Sequence, residues 1–359
     1  MRIEQLTFTR YIAALTVVFF HYGSSVFPAN LPLIKPVLAA GPIAVSYFYV
    51  LSGFIMAIAY YRPQSKQPFD TKRYWVARLA RIYPVYLLAL LLMMAAKFKG
   101  AGSDLTTVTL SVSMLQAWIP GFPLTLNAPG WSLSVEAFFY LLFPLLILGI
   151  QRRSLPWLML VTLSLWLLTQ LVHTWLLNSP AYQAFSPLHD FIYYNPLMHV
   201  NTFLIGFLAG VWLQQGNGAW LHQPAFNRMA LIMVSLAIVG MLGSREALMT
   251  ATHVHFDYTN GLIAPLFIGL ILLLALNTSS LKDILQHPWL ILLGEASFSL
   301  YILQKPLHGI YEKLMPAWIA PDSALHFYLF IILLTGIALF SYWFFETPLR
   351  RFINNFVNR

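Results

Sequence analysis

Residues 131–150 read WSLSVEAFFYLLFPLLILGI, a run in which Glu136 is the only charged residue. A helix that crosses the hydrocarbon core of a bilayer needs about 20 mainly apolar residues. This run is long enough, so we expect a membrane-spanning helix with Glu136 inside the membrane. An ionisable residue at such a depth is costly, and it is a functional candidate by default.

Similar apolar runs occupy most of the chain on both sides of this one. Of its 359 residues, 59% are hydrophobic and 9% charged, whereas soluble domains carry about 25% charged residues. We therefore predict an all-α, polytopic transmembrane bundle of about ten helices, forming one integral membrane domain over residues 1–359 without an appended soluble domain. The predicted spans are 6–22, 37–60, 75–96, 131–150, 156–177, 196–214, 229–242, 261–276, 289–303 and 325–345.

The distribution of basic residues predicts the orientation of the bundle. With the N-terminus in the cytoplasm, fourteen Lys and Arg residues fall inside and six outside. Such an excess marks cytoplasmic loops, so both termini are predicted to be cytoplasmic. Within the outer connection, residues 111–119 are a candidate for a helix that lies on the membrane surface.

Composition also argues against several kinds of function. The chain has no cysteine, so it has no disulfide, thiolate metal site or cysteine nucleophile. Its net charge of +9 is not gathered in a soluble basic stretch that could bind nucleic acid. We predict no metal site, because the histidines lack metal-like spacing on a shared helix. Zinc is conceivable at His253, His255 and Asp257, but loop polarity explains these residues more simply.

Two ionisable residues share one face of the first predicted helix. Arg10 and His21 are eleven residues apart, which is close to three full turns, and about 16 Å apart along the axis. The alternative is a snorkelling arginine and an interfacial histidine.

A second pair of arginines begins the third predicted helix. Arg78 and Arg81 are three apart and share a face, and the fork of a guanidinium suits phosphate. The alternative is an ordinary cytoplasmic cluster of positive charge. Glu136 must be paired or protonated, and its alternative role is a structural salt bridge to an arginine. Glu295 lies among small residues at 294–299, where close helix packing is the favoured interpretation.

These residues belong to six short elements that follow one another along nearly the whole chain. Together they resemble the acyltransferase family 3 of integral membrane O-acyltransferases, which act on bacterial polysaccharides. The elements are RYIAALTVVFFH (10–21), FYVLSGF (48–54), RLARIYP (78–84), WSLSVE (131–136), SFSLY (297–301) and FETP (345–348).

The chain departs from the family pattern in two respects. Many members have a histidine a few residues after the tyrosine that matches Tyr301, and this chain has Gln304 there. Because a glutamine cannot shuttle protons, we expect a binding role at most. Some members also carry a C-terminal extracytoplasmic esterase-like domain, whereas this chain ends about a dozen residues after its last predicted span.

The resemblance implies a membrane enzyme of the bacterial cytoplasmic (inner) membrane. Its expected partners are the lipid bilayer, acyl-CoA (acetyl-CoA above all) as cytoplasmic donor, a carbohydrate acceptor, and any partner proteins of polysaccharide synthesis or export. It implies no metal and leaves open direct transfer or an acyl-histidine intermediate. The implied roles are catalysis by His21 and Glu136, which would pair, donor binding by Arg10, Arg78 and Arg81, and substrate binding by Ser52, Tyr83, Trp131, Ser132, Tyr301 and Gln304.

Two other functions stay open at the level of sequence. A transporter or flippase of a lipid-linked sugar would need a transmembrane cavity but no binding of CoA. A non-catalytic scaffold of an export complex would tolerate loss of His21. The aromatic outer loop could offer stacking surfaces to sugars or form an interfacial belt. Its residues are Tyr182, Phe185, His189, Phe191, Tyr193 and Tyr194.

Overall fold

The computed structural model describes residues 3–63, 69–97, 104–316 and 318–357, and within these ranges it contains helices and no strand. The long helices are α1 (Thr7–Tyr22), α2 (Ile43–Tyr60), α3 (Thr71–Lys97), α4 (Trp131–Arg152), α5 (Leu155–Leu177), α6 (Val200–Gln214), α7 (Pro224–Gly243), α8 (Ala264–Ala275), α9 (Pro288–Leu314) and α10 (Ala324–Ser341). Shorter helices are Glu4–Leu6, Lys35–Leu38, Leu105–Val112, Gln116–Trp118, Ala128–Gly130, Pro187–Tyr194, Pro196–His199, Ala219–His222, Arg245–Thr252, Ser280–Leu285, Tyr342–Glu346 and Thr347–Val357.

The helices confirm a multi-pass helical membrane bundle. In the described ranges, seven helical stretches are long and apolar enough to span a membrane: α2, α3, α4, α5, α7, Pro187–Gln214 with α6, and Ala324–Phe356 with α10. The other three predicted spans also contain helices, but α1 has 16 residues, α8 has 12, and α9 has 27 with several charges. The cytoplasmic position of the termini stays a prediction. Four residues of the charge count, Arg2, Lys66, Lys99 and Arg359, lie outside the described ranges.

Two hydrogen bonds identify which helix ends lie together at each end of the bundle. Gln5 Nε2 donates to the carbonyl of Ala275, joining the start of α1 to the end of α8. The Tyr328 hydroxyl near the start of α10 donates to the carbonyl of Phe27, beyond the end of α1. We call the first of these the Thr7 end and the second, where α4 also begins, the Trp131 end.

The centre of the bundle depends on a close approach of α2 and α6. A Cβ on Gly53 would lie 2.1 Å from the carbonyl oxygen of Phe203, and one on Gly206 would lie 1.9 Å from that of Val50. No side chain fits in either place, so both glycines let the two backbones touch. This contact fixes the face of α2 that carries Tyr49 and Ser52.

A similar contact joins α1 to α9. A Cβ on Gly294 would lie 2.0 Å from the carbonyl oxygen of Thr7, so the small residues around Glu295 do permit close packing. The interpretation of this stretch as a packing element is therefore confirmed. The same contact brings Arg10 on α1 next to Glu295 on α9.

Some predicted boundaries are wrong. A single surface helix over 111–119 does not form: the helix is Leu105–Val112, and Met114, at φ 57°, ends the helical path. Asp104 starts this helix by accepting a 2.7 Å hydrogen bond from the amide of Thr107. The helices α7 and α9 are both longer than the predicted spans 229–242 and 289–303. The polar residues in their end turns stay helical.

Candidate functional site

A cavity of ≈ 160 Å³ lies between α1, α2, α3, α4 and α9. Seven of the eleven site residues predicted from the sequence line it, namely Arg10, Ser52, Arg78, Arg81, Ser132, Glu136 and Tyr301. The remaining wall is Val45, Phe48, Tyr49, Leu51, Ile55, Met56, Ile82, Leu133, Tyr140, Ser297 and Phe298. Five helices thus converge on one space with a charged part and an apolar part.

Arg10 and Arg78 both have partners within the protein. Arg78 also keeps one donor without an acceptor. The Nη2 atom of Arg10 lies 3.8 Å from Glu295 Oε1, an ion pair between α1 and α9. Arg78 Nη2 donates to the Tyr60 hydroxyl at 3.1 Å, and its guanidinium carbon lies 5.3 Å from the centre of that ring. The Nε–H of Arg78 is buried without a hydrogen-bond acceptor. A buried donor left in this state favours a ligand with an oxygen to offer.

Arg81 stands at the middle of the charged part. Its guanidinium forms no side-chain hydrogen bond and no ion pair within 4 Å with any residue that the structure describes. Glu295, Glu346, Tyr140 and Glu136 are its electrostatic neighbours. The carboxylates balance the arginines without using up the donors of Arg81.

Glu136 faces this arginine cluster. Its Oε1 accepts a hydrogen bond from the hydroxyl of Tyr140, one turn further along α4. Arg81, Arg78 and Arg10 are its charged neighbours. Within the described residues, its hydrogen bonds and ion pairs do not include His21. The His21–Glu136 pair therefore stays a prediction, and in this structure Glu136 pairs with Tyr140 beside the arginines.

The part of the cavity nearer the Trp131 end is lined by hydroxyl groups. The Ser132 hydroxyl and the Tyr301 hydroxyl are 3.0 Å apart and join α4 to α9. The Ser132 hydroxyl also donates to the carbonyl of Pro129 at 2.9 Å. Tyr49 on α2 donates to the Ser132 carbonyl at 3.3 Å. The cavity therefore runs from guanidinium groups to hydroxyl groups.

Four predicted site residues lie outside the cavity wall. His21 is exposed at the end of α1, with Lys305 as its charged neighbour. The Tyr83 hydroxyl donates to the Val112 carbonyl at 3.2 Å and so holds the short helix after α3. Trp131 packs against His199, with ring centres 5.4 Å apart. Gln304 is fully buried and donates to the Tyr301 carbonyl at 2.7 Å.

Sequence reasoning assigned no role in the site to three residues at or near the cavity. Tyr140 lies four residues after Glu136, a spacing that places side chains together on a helix and could have indicated the pair. For Glu295 close packing was the favoured interpretation, and the structure shows that it also pairs with Arg10. Glu346 is 1% exposed, and Ser299 Oγ donates to its Oε2 at 3.2 Å. No local pattern links these two carboxylates to arginines on other helices.

The loop at 253–261 does not bring its two histidines together with Asp257. His253 and His255 are exposed, whereas Asp257 is buried with its Oδ2 3.4 Å from His173 Nδ1. Burial alone would raise the pKa of Asp257, but hydrogen bonds from Thr259 and the nearby His173 lower it below the ordinary value. The described part of the chain has no group of three His, Cys, Asp or Glu residues that could hold a metal ion.

Comparison with known proteins gives the class of this membrane bundle. The family model Acyl_transf_3, described as an acyltransferase domain, matches residues 3–345. The chain therefore belongs to acyltransferase family 3, and the family predicted from the six elements is confirmed.

Two relatives carry informative names. Acyltransferase MdmB of Streptomyces mycarofaciens is 26% identical over 323 residues, which cover 84% of this chain and 78% of that protein. O-acetyltransferase OatA of Staphylococcus aureus is 27% identical over 345 residues, which cover 88% of this chain and 53% of OatA. The chain thus spans about half the length of OatA. No solved structure matches the chain.

Proposed function

We propose that the chain transfers an acyl group, in the first instance acetyl, from acyl-CoA to a sugar hydroxyl of a surface or secreted polysaccharide or its lipid-linked precursor. The observation that carries the proposal is the convergence of Arg10, Arg78 and Arg81 on one cavity inside a membrane acyltransferase. The name of OatA supports acetyl as the group and oxygen as its destination.

The charged part of the cavity suits the phosphates of CoA. Arginine forks bind phosphate oxygens through two parallel hydrogen bonds. The unsatisfied Nε–H of Arg78 and the open guanidinium of Arg81 supply such donors. In this proposal the phosphates bind towards the Thr7 end, and the cavity of ≈ 160 Å³ takes the thioester end of the donor.

The hydroxyl-lined part suits the acyl group. Ser132 and Tyr301 offer two hydroxyl groups 3.0 Å apart, beside apolar side chains of α2. Ser132 already donates to the Pro129 carbonyl, so the Tyr301 hydroxyl is the donor that could turn to the thioester oxygen and stabilise the negative charge that develops on it during attack. Glu136 and Tyr140 then serve to hold the arginines in place for the phosphates rather than to orient His21.

The transfer itself needs a group that accepts a proton from the sugar hydroxyl. His21 is our candidate, because its neighbour Lys305 is one turn of α9, about 6 Å, beyond Tyr301. The sugar oxygen forms a bond to the acyl carbon, the carbon–sulfur bond breaks, and His21 passes the proton to the CoA thiolate. Direct transfer is the form we propose, since His21 lies outside the cavity wall.

The test uses purified protein in nanodiscs. We expect CoA to raise the thermal unfolding temperature, and radiolabel from acetyl-CoA to enter an oligosaccharide acceptor. A flippase of lipid-linked sugars gives neither result. Absence of CoA stabilisation together with absence of labelled product, in protein that elutes as a single folded species, would overturn the proposal.

A further inference from the structure

A line of packed aromatic rings connects the surface of the Trp131 end to the cavity. Phe185 contacts His189 at 5.5 Å between ring centres, His189 contacts Tyr194 at 6.1 Å, and Tyr194 contacts Trp131 at 5.1 Å. We call Phe185, His189, Tyr194 and Trp131 the aromatic track. Its inner end adjoins Ser132, which lines the cavity.

Two buried rings hold the inner end of the track in place. His199 lies 5.4 Å from Trp131 and 5.2 Å from Tyr49, which itself lines the cavity. His199 Nε2 is 3.1 Å from the carbonyl of Tyr193, and because a carbonyl can only accept, Nε2 carries the proton. The imidazole thus ties the start of α6 to the helix Pro187–Tyr194. Trp131 therefore rests on a fixed support.

The outer end of the track is also held, and it is exposed at the protein surface. Phe185 is 85% exposed, and its φ of 61° is a left-handed conformation that a bulky residue rarely adopts. The amide of Gly121 donates to Asp190 Oδ2 at 2.7 Å and links the helix Pro187–Tyr194 to the loop before α4. Backbone strain of this kind persists where the surroundings impose it, often at binding sites.

We propose that the aromatic track is the docking surface for the carbohydrate acceptor. A pyranose ring has an apolar C–H face and a polar rim, so it packs on an aromatic face while its hydroxyls seek nearby polar groups. The track offers both, since the Tyr182 hydroxyl and His189 Nδ1 lie 2.9 Å apart along its edge. This inference rests on the proposed function, and it names the surface by which the acceptor approaches.

The arrangement favours a sugar over the lipid interface as the occupant. An interfacial belt places aromatic rings around the bundle at one depth. The track instead runs inward, from exposed Phe185 to Trp131 beside the cavity wall. Trp175 provides the contrast: it is 71% exposed near the same end, on α5, and lies off the track.

Binding measurements that need no turnover test the surface. The probes are chitotetraose, maltotetraose and an O-antigen tetrasaccharide, and the readout is saturation-transfer NMR with the protein in nanodiscs. In Phe185→Leu and Tyr194→Leu we expect the affinity for at least one probe to fall roughly three- to tenfold. Trp175→Leu, the matched control, should bind as the unchanged protein does.

A parallel measurement of CoA-induced thermal stabilisation separates the two proposals. Suppose that sugar affinity falls in the two track variants but CoA does not stabilise the protein. That result would support the docking surface and overturn the proposed function. CoA stabilisation with sugar affinity equal in all three variants would overturn the docking surface alone. Equal losses of thermal stability in the three variants, without any change in sugar binding, would identify a lipid-facing belt and would also overturn it. Binding of none of the probes counts against the track as well.

Discussion

Glu136 and Tyr140 form a hydrogen-bonded pair on consecutive turns of α4, with the Tyr140 hydroxyl as donor. Arg81, Arg78 and Arg10 are the charged neighbours of Glu136 and line the same cavity. The tyrosine therefore fixes the carboxylate that balances the charge of three arginines. The family elements gave Tyr140 no role, yet it is the hydrogen-bond partner of the predicted carboxylate Glu136.

The first prediction concerns the hydrogen bond from Tyr140 to Glu136. We expect Tyr140→Phe to lower the rate of acyl transfer by roughly ten- to a hundredfold, because a hydrogen bond to a charged group contributes about 1.5–3 kcal/mol. The ring stays in place, so insertion and fold should be kept. The measurement is transfer of label from acetyl-CoA, with thermal unfolding as the control. A full rate in Tyr140→Phe would show that Glu136 needs no partner.

The second prediction concerns donor binding. Arg78→Ala and Arg81→Ala should each weaken CoA binding at least tenfold, and lysine at either position should restore only part of it, because an ammonium lacks the planar fork. Isothermal calorimetry measures this directly. Arg153→Ala is the matched control, since Arg153 is exposed over Trp157 at the Thr7 end, away from the cavity. Unchanged affinity in both alanine variants would exclude an anion site here.

The sequence predicts the bundle well, because each span is a local property. Twenty apolar residues specify a transmembrane helix wherever they occur, so runs such as 131–150 and 156–177 are recognised without tertiary information. The four charged residues that line the cavity, Arg10, Arg78, Arg81 and Glu136, were also found, since intramembrane charge is costly enough to indicate a site.

The sequence could not predict which helices pack against one another. Helical periodicity places Arg10 and His21 on one face, but it does not specify which helix packs there. Glu295 meets Arg10 because Gly294 lets α9 touch α1, a contact between residues at opposite ends of the chain. For the same reason the sequence left Glu136 open between a pair with His21 and a salt bridge to an arginine that it could not identify.

The third prediction tests that helix contact. Gly294→Ala should destabilise the protein by about 1–3 kcal/mol or more, because its Cβ would sit 2.0 Å from the Thr7 carbonyl oxygen. Displacement of α1 should also move Arg10 and reduce CoA binding. Gly309→Ala on the same helix has nothing within 4 Å and serves as the control. Thermal unfolding in detergent compares the two, and equal stability would show that the α1–α9 contact yields easily.

The fourth prediction concerns the proton acceptor. His21→Ala should abolish acyl transfer while leaving insertion, unfolding temperature and CoA affinity unchanged, since His21 is exposed and lies outside the cavity wall. His21→Gln should be equally inactive, because an amide forms hydrogen bonds but accepts no proton near neutral pH. A rate within tenfold of the unchanged protein in a well-folded variant would remove His21 from the mechanism.

The last prediction is that donor and acceptor enter from opposite faces of the membrane. The excess of Lys and Arg in one set of loops predicts that the Thr7 end lies in the cytoplasm, and with it the arginine part of the cavity. His21 and the aromatic track lie at the Trp131 end.

Because the chain has no cysteine, Phe185→Cys and Gln151→Cys give single labelling sites at the two ends. A membrane-impermeant maleimide should reach the first in intact cells and the second after lysis. Proteoliposomes sorted by this labelling then receive acetyl-CoA on one side and a non-permeant glycan on the other. We expect product when acetyl-CoA is on the Gln151 side and the glycan on the Phe185 side. Product that forms only with both substrates on the Gln151 side would place the chemistry at the cytoplasmic surface and contradict the proposed path.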